Sequence, residues 1–72
     1  AQAPENTLAG FRLAAEQGNA YGQANLGRML EKGIGTKKNV AEAIEWYRKA
    51  VEMGFAEAGK WLEKLLEQRA DS

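Results

Sequence analysis

Neither histidine nor cysteine occurs in this chain, so the side chains that most often serve as general bases, thiol nucleophiles and metal ligands are missing. What remains able to move a proton is a set of carboxylates, lysines and tyrosines. Such groups catalyse only when a cleft shifts their pKa values and holds them against a substrate. The acidic residues fall mostly on polar helix faces, which reads as solvation. No catalytic residue, no metal site and no cofactor is therefore assigned. One segment has the composition of an anion cradle. Gly33-Ile34-Gly35-Thr36-Lys37-Lys38 sets glycines, a hydroxyl and lysines ahead of a helix N-terminus, where backbone N–H groups favour negative charge. It lacks the residue spacing of a P-loop and no strand precedes it, so it reads as a turn with a solvated basic tip.

Charge narrows the function further. Lys and Arg number 10 and Asp and Glu number 10, for a net charge of zero. Broad capture of nucleic acid needs a basic surface that replaces counterions, and capture of an acidic membrane needs a polybasic face. Neither partner is expected. No apolar run approaches the roughly 20 residues that cross a bilayer, and no signal-like segment opens the chain, so a soluble protein of unknown compartment is expected. Its first residue is Ala1 rather than Met, as in a processed form, an excised fragment or an engineered chain. A length of 72 residues gives one domain, spanning 1–72, with a thin core.

The elements that would position any site emerge from an internal repeat. A shift of 36 places Arg12 on Arg48, Ala14 on Ala50, Glu16 on Glu52, Gly18 on Gly54, Ala20 on Ala56, Leu26 on Leu62 and Glu31 on Glu67. Leu8 with Ile44, Phe11 with Tyr47, Ala15 with Val51, Met29 with Leu65 and Leu30 with Leu66 keep their character. These are the positions a helical core needs.

The pattern predicts an all-α fold of four antiparallel helices, over about 4–17, 19–32, 40–53 and 55–69. Pro4 suits a first turn. Leu8, Phe11 and Ala15 recur at helical spacing until Gly18 ends the first helix. Asn19 caps the second, whose Gly22, Leu26, Met29 and Leu30 share a face up to Lys32 and Gly33. Asn39 with Glu42 has the spacing of a capping box. Val40, Ala43, Ile44, Tyr47, Ala50 and Val51 then form the clearest apolar stripe, with Glu45 and Lys49 as an ion pair on its wet side. Gly54 repeats the stop of Gly18. Phe55, Ala58, Leu62, Leu65 and Leu66 are expected to face inward, and the tail from Ala70 to Ser72 to fray. Ile34, the one apolar residue in the long loop, is expected to tuck under it. The short connections at Gly18 and Gly54 fold neighbouring helices back on each other, and small residues such as Ala14, Ala50, Gly22 and Ala58 let their backbones approach. The outcome is an α/α superhelix, a short solenoid.

From Gly22 through Ala58 the chain resembles the Sel-one-like repeat, a relative of the tetratricopeptide repeat. The residues carrying the resemblance are Leu26-Gly27, Met29-Leu30, the loop Gly33-Ile34-Gly35, Ala43, Trp46-Tyr47, Ala50 and Gly54. Phe11, Ala14-Ala15 and Gly18 look like the second helix of a preceding repeat, and Ala58 and Leu62 like the first helix of a following one. Gly22 stands where alanine is usual, Thr36 replaces a common valine, and Glu63 replaces the glycine matched by Gly27. A charge at that close-packing position fits a final helix without a successor. The resemblance implies a scaffold that brings other proteins together.

Phe11, Tyr47 and Phe55 fall on core faces, and Trp46 at the edge of its stripe is expected to cover the seam of a helix pair. Trp61 lies at the margin of its buried face, roughly 100° from Leu62, where it would either anchor a partner or cover the end of the stack. Repeat symmetry aligns Tyr21, Asn25 and Arg28 with Glu57, Trp61 and Lys64. First helices of successive repeats line the concave surface of such solenoids, which makes Tyr21, Asn25, Arg28, Trp61 and Lys64 the candidate contact patch for a peptide or protein partner. Two other readings stand beside this one. The first is an engineered repeat protein without a natural partner. The second is a structural unit that self-associates through its end helices into a homo-oligomer.

Overall fold

The computed structural model describes residues 4–70, with side chains placed over 7–69. Four helices follow in order: α1 (Pro4–Glu16), α2 (Ala20–Lys32), α3 (Val40–Glu52) and α4 (Glu57–Ala70). No strand occurs among the described residues. Residues 71 and 72 of the tail expected to fray lie outside the described residues.

The helix ends show why the chain breaks where it does. Gly18 and Gly54 have φ of 88° and 99°, the left-handed region that costs glycine little and other residues much. Each lets the next residue reach back five positions. The Asn19 N–H donates to the Ala14 carbonyl and the Phe55 N–H to the Ala50 carbonyl, both at 3.0 Å. The two bonds are the same bond, one repeat apart. Ile34 makes the corresponding bond to Met29 at 2.9 Å.

Helix starts differ more. The Asn19 Oδ1 accepts the Gly22 N–H at 2.8 Å and the Asn39 Oδ1 accepts the Glu42 N–H at 3.1 Å, each satisfying a donor that the first turn leaves orphaned. Phe55 occupies the position equivalent to Asn19 and has no side-chain acceptor. α4 accordingly begins at Glu57 rather than at 55, after a tight turn in which Ala58 bonds Phe55 and Gly59 bonds Ala56. The capping box expected at Asn39 is only half made. The Asn39 N–H goes to the Leu30 carbonyl at 2.8 Å, closing the long loop onto α2, and the Glu42 carboxylate is used elsewhere. Ile34 does not tuck under that loop. It is 43% exposed, because the backbone rather than the side chain anchors the turn.

α1 packs on α2, α2 on α3 and α3 on α4. The contacts are close because the seam residues are small. Ala24, Ala43, Ala50 and Ala58 are fully buried. At Gly22 a Cβ would lie 2.8 Å from the Ala14 Cβ, and at Gly27 one would lie 2.7 Å from the Tyr47 ring. Tyr47, Leu26 and Leu30 are the largest fully buried side chains, with Ile44, Met29 and Leu65 beside them. Leu8, Phe11, Val40, Phe55 and Leu62 pack half-buried around this centre. Val51 and Leu66, expected to face inward, are 40% and 39% exposed. Their periodicity is right, but among the described residues no further helix lies against the outer side of α3 and α4.

Candidate functional site

A cleft of about 180 Å3 opens between α2 and α4, lined by Arg28, Glu31, Lys32, Trp61 and Lys64. The Trp61 indole forms its aromatic wall. It packs edge-on against buried Tyr47 and tilted against Phe55, with ring centroids 6.0 Å apart in both cases. The Arg28 guanidinium lies over the Trp61 ring, 4.8 Å from its centroid, where the ring quadrupole attracts a cation. A guanidinium over a ring face keeps N–H donors that can pair with an anion.

Glu31 lies at one border of the cleft. Its Oε1 accepts the Tyr47 hydroxyl at 2.6 Å. Burial pushes the Tyr47 phenol above its ordinary range, the bond to Glu31 pushes it further, and nearby Arg28 opposes the rise in part. Tyr47 therefore remains a neutral donor. A second cleft of about 550 Å3 shares Glu31 and Lys32 and extends past Val40 and Leu65 to the ends of α2 and α4.

Of the five residues in the predicted patch, Arg28, Trp61 and Lys64 meet in the first cleft. Tyr21 stands apart, 60% exposed, in an aromatic row. Its ring meets Phe11 at 6.4 Å and Phe55 at 6.0 Å, and Phe55 leads on to Trp61. Asn25 is turned back on its own helix, its Nδ2 donating to the Tyr21 carbonyl at 2.8 Å. Glu31 and Lys32 were missed from the sequence. They follow Arg28 at i+3 and i+4, the spacing that shares a helix face, so the signal was present.

Other polar groups serve the framework. The Glu42 Oε2 accepts from Arg12 Nη1 at 3.2 Å and from Trp46 Nε1 at 3.1 Å, which ties α1 to α3. Lys49 lies 4.7 Å from the centroid of the Trp46 ring rather than pairing with Glu45. Gln23, buried in α2, donates to the Ala15 carbonyl at 3.3 Å. Among the described residues no group of three or more Asp or Glu could hold a metal ion, and no helix is long and apolar enough to cross a membrane.

On the outer side of α3 and α4 lies a third groove of about 460 Å3, lined by Arg48, Val51, Glu52, Gly59, Leu62 and Glu63.

Known proteins share this architecture. The Sel1 repeat family model matches residues 11–19 and 20–55. A putative sel1-like repeat-containing protein of Acanthamoeba polyphaga mimivirus is 46% identical over 41 residues, 57% of this chain and 7% of that protein. The DAP3-binding cell death enhancer 1 of Rattus norvegicus is 37% identical over 60 residues, 83% of this chain and 12% of that protein. The chain thus spans a small part of the curated relatives it matches. The crystal structure of a Sel1 repeat protein from Oxalobacter formigenes superposes with a TM-score of 0.84 at 43% identity, over 90% of this chain and 27% of that one. Stacked helix pairs, a glycine-bounded loop and the matched repeat agree: this chain belongs to the Sel1 repeat family, whose members generally act as protein–protein interaction modules.

Proposed function

We propose that this chain is a non-catalytic interaction module that presents the concave side of α2 and α4 to a peptide or protein. The carrying observation is the convergence of Arg28, Trp61 and Lys64 on one cleft. Tryptophan and arginine are the residue types most often responsible for binding energy at interfaces. Each is held here by another group, Trp61 by Tyr47 and Phe55 and Arg28 by Trp61, so less entropy is lost on binding. The family gives independent support, and the rat relative is named for binding another protein. Peptide-display selection on the wild-type chain tests the reading. Ligands should emerge and should lose at least about tenfold in affinity with Arg28→Ala plus Trp61→Ala. Ligands that bind the folded double variant unchanged would move the contact surface elsewhere.

Self-association is a second reading, favoured by the outer groove that leaves Val51 exposed. Sedimentation at rising concentration decides it, since a strict monomer removes it.

A further inference from the structure

Resting on the interaction reading, we infer that the partner at the α2/α4 face is an acidic peptide segment. The two clefts there are neighbours that share Glu31 and Lys32 on their borders. Among the described residues their walls carry Arg28, Lys32, Lys38 and Lys64 against Glu31 alone of the acidic residues, besides Arg69, which already has an interaction of its own. In a protein of zero net charge this segregates positive charge onto one face.

Helix electrostatics explain only part of it. Lys32 and Arg69 sit in the last turns of α2 and α4, where a cation offsets the negative end of the helix dipole. Arg28, Lys38 and Lys64 meet no such need. Glu31 offsets one positive charge and already accepts the Tyr47 hydroxyl, so Arg28, Lys32, Lys38 and Lys64 together still outweigh it. The walls between the charges are apolar: Trp61 in one cleft, Val40 and Leu65 in the other. Carboxylates interspersed with an apolar side chain match that arrangement. Arg28, over the face of Trp61, carries the planar donor fork that takes a carboxylate through two parallel N–H bonds. A nucleic acid fits less well, because a longer polyanion would run off these clefts onto a surface that exposes Glu16, Glu45, Glu52, Glu57, Glu63 and Glu67.

The experiment is an unbiased selection of random short peptides on the intact chain, followed by affinity measurement of the winners. Enriched sequences are expected to be rich in Asp and Glu. Their Asn/Gln counterparts should bind at least about tenfold more weakly. Affinity should fall several-fold as NaCl rises from about 50 to about 300 mM, the mark of partly exposed charges. Lys38→Glu with Lys64→Glu, two exposed positions that leave the core intact, should abolish the acidic preference. Winners that are neutral or basic yet still depend on Arg28 and Trp61 overturn the acidic inference and leave the interaction reading standing. Acidic winners displaced equally well by single-stranded oligothymidylate show a general polyanion site and overturn it too. Failure to enrich any peptide overturns both.

Discussion

The outer side of the α1/α2 pair and the outer side of the α3/α4 pair are the same surface, one repeat apart. A shift of 36 carries Arg12, Ala15, Glu16, Gln23, Leu26 and Gly27 onto Arg48, Val51, Glu52, Gly59, Leu62 and Glu63. On the first pair α3 lies across this surface. Ala15, Gln23, Leu26 and Gly27 are buried, and Arg12 is joined to Glu42. On the second pair the surface is the open groove of about 460 Å3, with Leu62 half-buried and Val51 and Glu63 exposed. The helix ends are matched between the pairs, including the bonds from Asn19 to Ala14 and from Phe55 to Ala50. The hairpin turns therefore repeat while burial does not. A residue's role at this surface depends on whether a third helix crosses it.

Leucine makes the sharpest contrast. Leu26 is fully buried beneath α3, so Leu26→Ala removes its contacts and opens a cavity, and is expected to cost about 3 kcal/mol. Leu62→Ala, at a half-buried position with solvent on one side, should cost about 1 kcal/mol. Urea unfolding of both variants checks the difference. Equal losses would mean that the outer groove is covered in solution.

Gly27 reverses the usual expectation for alanine in a helix, and its match Glu63 does not. Alanine gains about 1 kcal/mol over glycine from helix propensity. At Gly27 its Cβ would meet the ring of buried Tyr47 at 2.7 Å and the Ala43 carbonyl at 3.3 Å. That ring cannot swing away without losing its bond to Glu31. Gly27→Ala is expected to destabilise by about 1–2 kcal/mol net, while Glu63→Ala should stay within about 0.5 kcal/mol. Thermal unfolding of the pair tests this. A stabilised Gly27→Ala would show that Tyr47 does not hold α3 against α2.

This contrast also marks how far the sequence could be read. Glycine stops, asparagine caps and the 36-residue period gave all four helices and their hairpin order, because those signals act within a few residues. What went unread depended on distant neighbours. Val51 and Leu66 have inward periodicity, but a pattern assigns a face and not its cover. Glu42 has capping-box spacing, but Arg12 of α1 and Trp46 take its carboxylate. α4 starts late because the position matched to Asn19 holds Phe55. In the candidate site the repeat alignment found Arg28, Trp61 and Lys64. It could not show that Tyr47 reaches across from α3 to Glu31, nor that Asn25 turns back onto Tyr21.

The smallest expected effect is the most specific probe of the open groove. The Arg12 Nη1 lies 3.2 Å from the Glu42 Oε2, with the side chains 38% and 35% exposed. Solvent screens such a pair, so Arg12→Ala should cost only about 0.5 kcal/mol, and less at high salt. Trp46 continues to donate to the same oxygen, which keeps Glu42 oriented and limits the loss further. Arg48 occupies the equivalent place with no helix opposite, so Arg48→Ala should leave the unfolding midpoint unchanged at every protein concentration. A loss at Arg48 that grows with protein concentration would mean that a second copy brings a carboxylate to it. The two faces would then be alike after all, one covered by α3 and the other by a neighbouring molecule.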